Sequence, residues 1–145
     1  TALDVTIQAQ ILELLNSLRR ETCMAILLIT HNLGIVAETA DRVAVMYAGK
    51  IVEEAPVEAL FESPMHPYTR GLLNSLPPDE PGRTLEPISG TVPNPAYLPE
   101  GCAFHPRCKE IMPRCRTEIP SLFPAPGSCV GHQVACWLYS EAQRP

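Results

Sequence analysis

The chain has 145 residues, 46% of them apolar, and a formal charge of −5 at pH 7. That apolar content sustains a packed core and excludes a disordered tail, while the acidic balance excludes broad electrostatic capture of nucleic acid, which needs a basic surface or stripe. No apolar run approaches the roughly 18 to 20 residues that span a bilayer, and the first residues lack the basic-then-apolar layout of a signal peptide.

The sequence opens at Thr1, without an initiator Met, and enters a periodic helix at once, which reads as a C-terminal piece of a longer protein. Ile7, Ile11, Leu14, Leu15 and Leu18 recur on one helical face, with Asp4 as the expected N-cap and an end near Arg20. Ala25 to Thr30 is a strand-length apolar run, and Asn32 to Ala40 reads as a short helix. A strand between two helices predicts an α/β layer with a parallel sheet. The stretch "RVAVMYAGKIVEEA" alternates around Ala48-Gly49-Lys50 and predicts a β-hairpin, followed by helices over Val57 to Phe61 and Pro67 to Leu76. In "HPYT", Pro67 suits the first turn of the second of these, so His66 marks a helix start rather than a catalytic or metal residue.

The composition then changes. All 16 prolines lie at or beyond Pro56, and five of the six cysteines lie between Cys102 and Cys136. Pro, Gly and Asn crowd residues 77–101, which favours extended and turn conformations. Three segments are expected: residues 1–76, a Pro-rich connector over 77–101, and a Cys-rich extension over 102–145.

His31 follows the predicted strand, at the kind of strand end where α/β proteins bind ligands; an imidazole there can contact a phosphate oxygen, orient a water, or simply cap the strand. "TALD" at Thr1 to Asp4, "LLITHNLG" at Leu27 to Gly34 and "ADRVAVMYAGKIVEEAP" at Ala40 to Pro56 together resemble the ATP-binding subunits of ABC transporters. The resemblance implies the C-terminal fragment of a P-loop ATPase domain that uses ATP and Mg²⁺. It makes Asp4 the D-loop residue at the interface of two nucleotide-binding domains and His31 the catalytic switch histidine on the γ-phosphate. No GxxxxGK[ST] loop occurs in these 145 residues, so the fragment alone is expected to be inactive.

Cys102, Cys108, Cys115 and Cys136 are separated by five, six and twenty residues, with Cys129 between the last two. No C-x(2–4)-C knuckle of the common zinc type is present, and neither common ferredoxin spacing is either. An iron–sulfur cluster, a zinc site drawing on His105 or His132, and free or disulfide-paired thiols all stay open on spacing alone. The stretch from "SPMHPYTRGLL" through "ISGTVPNPAYLPEGCAFHPRC" to "HQVACW" resembles the C-terminal extension of the oligopeptide and dipeptide branch of ABC importers. That resemblance implies a [4Fe–4S] cluster on Cys102, Cys108, Cys115 and Cys136. Cys129 falls outside the pattern, and Cys23 reads as a core thiol. Arg107, Lys109, Arg114 and Arg116 flank the cysteines as a solvated basic face or as an offset to cluster charge, and Trp137 is placed to shield the site.

The resemblance further implies a subunit peripheral to the cytoplasmic face of the membrane. Its partners would be a second ATPase subunit, two transmembrane permease subunits and, indirectly, a substrate-binding protein, with no nucleic acid. Rival expectations are a zinc-stapled interaction module, a disulfide-stapled secreted domain, and an importer of nickel or another small solute.

Overall fold

The computed structural model describes residues 5–76 and 87–140. The chain divides into two units, Thr1–Thr39 and Ala40–Pro145.

In the first unit, helix α1 (Val5–Thr22) carries the predicted apolar stripe and runs two residues past its expected end. Arg19 and Arg20 in the last turn complement the helix dipole, and Thr22 Oγ1 donates to the Leu18 carbonyl at 2.6 Å. Asp4, the expected N-cap and D-loop residue, lies outside the described residues. Helix α2 (Leu33–Thr39) begins where Asn32 caps it: Asn32 Oδ1 accepts from the backbone N–H groups of Gly34 and Ile35 at 3.0 and 3.3 Å.

The predicted strand at Ala25 to Thr30 is not formed. Residues 23–30 carry no regular structure, and Leu27 and Ile29 are each 89% exposed. A strand exists only through hydrogen bonds to a neighbour, and no described residue pairs with this run. The expected parallel layer is therefore also corrected: every strand pair among the described residues is antiparallel. Cys23, expected in a core, is exposed and holds φ at +54°.

The second unit is built on the predicted hairpin. Strands β1 (Arg42–Tyr47) and β2 (Lys50–Pro56) pair in antiparallel register, with an irregularity between Val45 and Met46. Ala48 and Gly49 between them have φ of +48° and +77°, the doubly positive pattern of a turn whose twist matches the strands. Helices α3 (Val57–Glu62) and α4 (Pro67–Asn74) follow. His66 is the N-cap of α4, its Nδ1 accepting from the Tyr68 N–H at 3.0 Å, with Pro67 in the first turn as expected. Two short strands, β3 (Phe123–Pro124) and β4 (Gln133–Val134), complete a sheet in the order β1-β2-β4-β3. Strand β2 is thus central, and the distant C-terminal segment closes its open edge.

The core gathers Val45, Tyr47, Val52, Ala55, Leu60 and Phe104. Phe104, from the Cys-rich segment, meets Tyr47 edge-on at 5.2 Å and Tyr68 at 5.5 Å between ring centroids. The hairpin, α4 and the Cys-rich segment therefore share one core. Among the described residues no helix is long and apolar enough to cross a membrane.

Candidate functional site

Cys102, Cys108, Cys115 and Cys136 line one small cleft, together with Phe104 and Trp137. Each is delivered by a tight turn. The Cys102 carbonyl accepts from the His105 N–H at 2.9 Å, and Cys108 follows the 3₁₀ turn His105–Arg107. Cys115 sits within the 3₁₀ turn Pro113–Arg116, and Cys136 lies between β4 and the 3₁₀ turn Trp137–Tyr139. Two of the turns touch directly, since the Cys102 N–H donates to the Cys115 carbonyl at 2.9 Å. Gly101 permits that approach: its φ is +68°, and a Cβ there would lie 2.5 Å from the Cys115 carbonyl oxygen.

Burial dominates the chemistry of these thiols. It pushes the Cys136 thiol up to about 12 and raises those of Cys102 and Cys108, and in each case neighbouring cysteines add to the rise. Backbone hydrogen bonds work the other way, from Phe104 and His105 at Cys102, from Glu110 at Cys108 and from Leu138 at Cys136. Four crowded thiolates need a compensating cationic centre, and backbone donors aimed at sulfur suit one. The donor chemistry fits a thiolate-bound metal group. Among the described residues, however, no three His, Cys, Asp or Glu side chains are arranged to hold a metal ion.

Histidine ligation draws less support. His132 does not line the cleft; its Nε2 donates to Glu53 Oε1 at 2.8 Å, and its Nδ1 lies 2.6 Å from Ser128 Oγ. His105 Nδ1 is 3.0 Å from the Cys102 carbonyl oxygen. His66 borders the cleft, but burial, with Arg70 adding, lowers its pKa to about 4 and keeps it neutral as a helix cap. Cys129 is exposed and outside the cleft. The flanking arginines are structural: Arg107 donates to the Ser89 and Ile88 carbonyls at 3.0 and 3.1 Å, and Arg114 stacks on Trp137 at 3.6 Å while bonding Glu118 at 2.7 Å. Trp137, anchored by its Nε1 on the Glu118 carbonyl at 3.0 Å, forms part of the cleft wall.

Beside the cleft lies a feature that the sequence did not announce. Glu53 on β2 is completely buried; its Oε1 accepts from Met65 N at 2.7 Å and from His132, and its Oε2 accepts from His66 N at 2.9 Å. One carboxylate thus ties the central strand, the entry to α4 and the C-terminal segment. His31, in the other unit, is exposed in the bend just before the Asn32 cap of α2.

Residues 52–115 match the family model for the oligopeptide/dipeptide transporter C-terminal region, which takes in three of the four cleft cysteines. The match extends well beyond that segment: over 142 residues, 97% of the chain, 53% are identical to the oligopeptide transport ATP-binding protein AppD of Bacillus subtilis. Along nearly its whole length the chain is similar to oligopeptide and dipeptide transport proteins. It is also 49% identical over 144 residues to the probable peptide ABC transporter ATP-binding protein y4tS of Sinorhizobium fredii. With the dipeptide transport ATP-binding protein DppD of B. subtilis it shares 49% over 142 residues. The chain spans 42%, 40% and 42% of those three relatives, so about two fifths of each.

Proposed function

We propose that the chain is the C-terminal part of an ATP-hydrolysing subunit that powers import of oligopeptides or dipeptides. The observation that carries this reading is identity of about one residue in two over nearly the whole chain with peptide transport ATP-binding proteins. In the intact protein two such subunits pair at the cytoplasmic face of the membrane and drive two permease subunits, with a binding protein delivering substrate. Asp4 stands at the contact between nucleotide-binding domains, and His31 contacts the γ-phosphate of Mg²⁺-ATP and positions the attacking water. Phosphoryl transfer asks a protein mostly to position groups and stabilise charge, which suits an imidazole at a loop tip. These 145 residues hold no phosphate loop and are inactive by themselves.

His31→Ala in the full-length subunit tests the assignment. Hydrolysis is expected to fall about a hundredfold or more, the scale of a lost general acid–base or positioning group, with ATP binding spared. Near-normal turnover would remove His31 from the mechanism.

The cleft holds a [4Fe–4S] cluster on Cys102, Cys108, Cys115 and Cys136, which adds covalent cross-links to a segment made of short turns. The support is four thiols facing one cleft with backbone donors on three of them. Anaerobic purification followed by iron, sulfide and zinc analysis distinguishes the cases. About four irons and four sulfides per chain with a broad visible absorbance are expected; one zinc and a colourless protein would make the cleft a zinc staple instead.

A further inference from the structure

The carboxylate that ties β2 to the C-terminal segment is one end of a longer relay. Glu53 Oε1 accepts from His132 Nε2 at 2.8 Å, and the other ring nitrogen, Nδ1, lies 2.6 Å from Ser128 Oγ. The Glu53 and His132 side chains are completely buried, whereas Ser128 is partly exposed in the loop between β3 and β4. Carboxylate, imidazole and hydroxyl thus run in a line from the interior to the surface.

The hydrogen bonds fix where each proton sits. Glu53 accepts from three N–H donors, those of Met65, His66 and His132, so it takes the imidazole by its Nε2–H. That leaves Nδ1 as an acceptor, and the Ser128 O–H is the donor that reaches it. This is the order of groups in which a base draws the proton from a hydroxyl while a third group sets the tautomer of the base. Either ring nitrogen serves as that base once the other carries the proton.

The loop holds the hydroxyl in place. The Ala125 N–H donates to the His132 carbonyl at 2.9 Å, the Ser128 N–H to the Ala125 carbonyl at 3.3 Å, and the His132 N–H to the Cys129 carbonyl at 3.2 Å. From β1, Arg42 donates to the Gly131 carbonyl at 2.9 Å. Access stays open, since a Cβ added at Gly127 would meet nothing within 4 Å. The Cys129 N–H donates to no backbone carbonyl among the described residues. In one large class of hydrolases the N–H that follows the nucleophilic serine is an oxyanion donor.

We infer that Ser128 is an acyl-accepting nucleophile, activated by His132 and directed by Glu53, which takes the acyl group of a small activated ester. Ser128 Oγ attacks the carbonyl carbon as its proton passes to His132 Nδ1, and the Cys129 N–H is free to donate to the oxygen that gains charge. As the tetrahedral intermediate collapses, the bond to the leaving oxygen breaks and His132 returns the proton to that oxygen. The acyl group stays on Ser128 as an ester. Glu53 is a positioning group, which holds the tautomer and faces the imidazolium as it forms. The inference uses none of the four cleft thiols and nothing of His31, so its failure leaves the transporter reading standing.

The test acylates the intact protein with p-nitrophenyl acetate in a Cys129→Ala background, which removes the exposed thiol beside Ser128 and keeps the backbone N–H. Peptide mass spectrometry, on samples taken before the ester hydrolyses, gives the site and its rate. Ser121, exposed on the same segment, is the internal standard. Acylation of Ser128 is expected to be about a hundredfold or more faster than that of Ser121, the scale of one positioned base, and His132→Gln is expected to remove the advantage. Acylation of Ser128 no faster than of Ser121, or undiminished in a folded His132→Gln protein, would overturn the inference. Where that variant lowers the melting temperature, the ratio of the two serines in the parent background decides. The nitrogen-15 shifts of the His132 ring read the part played by Glu53: a protonated Nε2 with a bare Nδ1 is expected, and a protonated Nδ1 would overturn the relay.

Discussion

Gly101 is the residue on which the thiol cleft turns. Its positive φ and the 2.5 Å that would separate an added Cβ from the Cys115 carbonyl make two penalties of different origin, one of backbone strain and one of overlap with rigid main chain. Gly101→Ala is expected to destabilise the fold by about 2–4 kcal/mol and to separate the Cys102 and Cys115 turns. Denaturant melts measure the first effect, and the iron content of the purified variant measures the second. A midpoint within error of the parent protein would mean that the two turns reposition freely. Neither role was visible in "LPEGCAF", because a glycine before a cysteine looks like any turn glycine until the chain 14 residues downstream is placed against it.

At the scale of elements, reading succeeded where the signal is local. The hairpin announced itself by alternation around Ala48-Gly49, and α4 by Pro67 at its start. Failure came where an element depends on a neighbour far away in sequence. Residues 25–30 have strand composition without a strand to pair with, whereas Gln133 and Val134, unremarkable as a dipeptide, become a strand because β2 offers them a ladder. The grouping of the four cysteines came from family resemblance rather than from spacing, since the spacing fits no common metal motif.

The start of α4 also carries a pH dependence. His66 is buried and neutral, with its pKa lowered from 6.5 to about 4 chiefly by burial, so the unfolded chain takes up a proton before the folded one does. The stability it contributes is complete above about pH 6.5 and is lost as pH falls from 6.5 towards 4, to a total of about 3 kcal/mol. His66→Asn keeps a capping acceptor and cannot titrate. Its stability profile is expected to lack that component over the same window; parallel profiles for the two proteins would assign the loss to other groups.

For the whole molecule, Glu53 is the joint. It accepts hydrogen bonds from the entry to α4 and from His132 while lying on the central strand, so the hairpin and the Cys-rich segment are held by one group. Glu53→Gln places an amide N–H₂ against donors that need an acceptor. A cost of about 1–3 kcal/mol is expected, as for leaving a buried donor without its acceptor. Thermal unfolding of the intact protein with unaltered α1 and α2 signals would localise the loss; a change below about 1 kcal/mol, the scale of an exposed pair, would show that water reaches the site. The hairpin sequence does not single out Glu53 from its neighbour Glu54. Glu54 does reach the surface and pairs there with Arg42 at 2.7 Å, but coverage of β2 by β4 buries Glu53, and that coverage is a long-range fact.

The same pairing sets an order of events during synthesis. Strand β2 and its partner β4 are joined across 79 residues, from Glu53 to His132, so when the hairpin leaves the ribosome the carboxylate of Glu53 faces water and one edge of β2 is bare. Both conditions persist until the chain has been extended by more than half its present length, because contacts so distant along the chain form last and slowly. Throughout that interval the nascent hairpin exposes a template for pairing with other chains. The edge is covered only once Gln133 and Val134 have docked against Glu54 and Glu53.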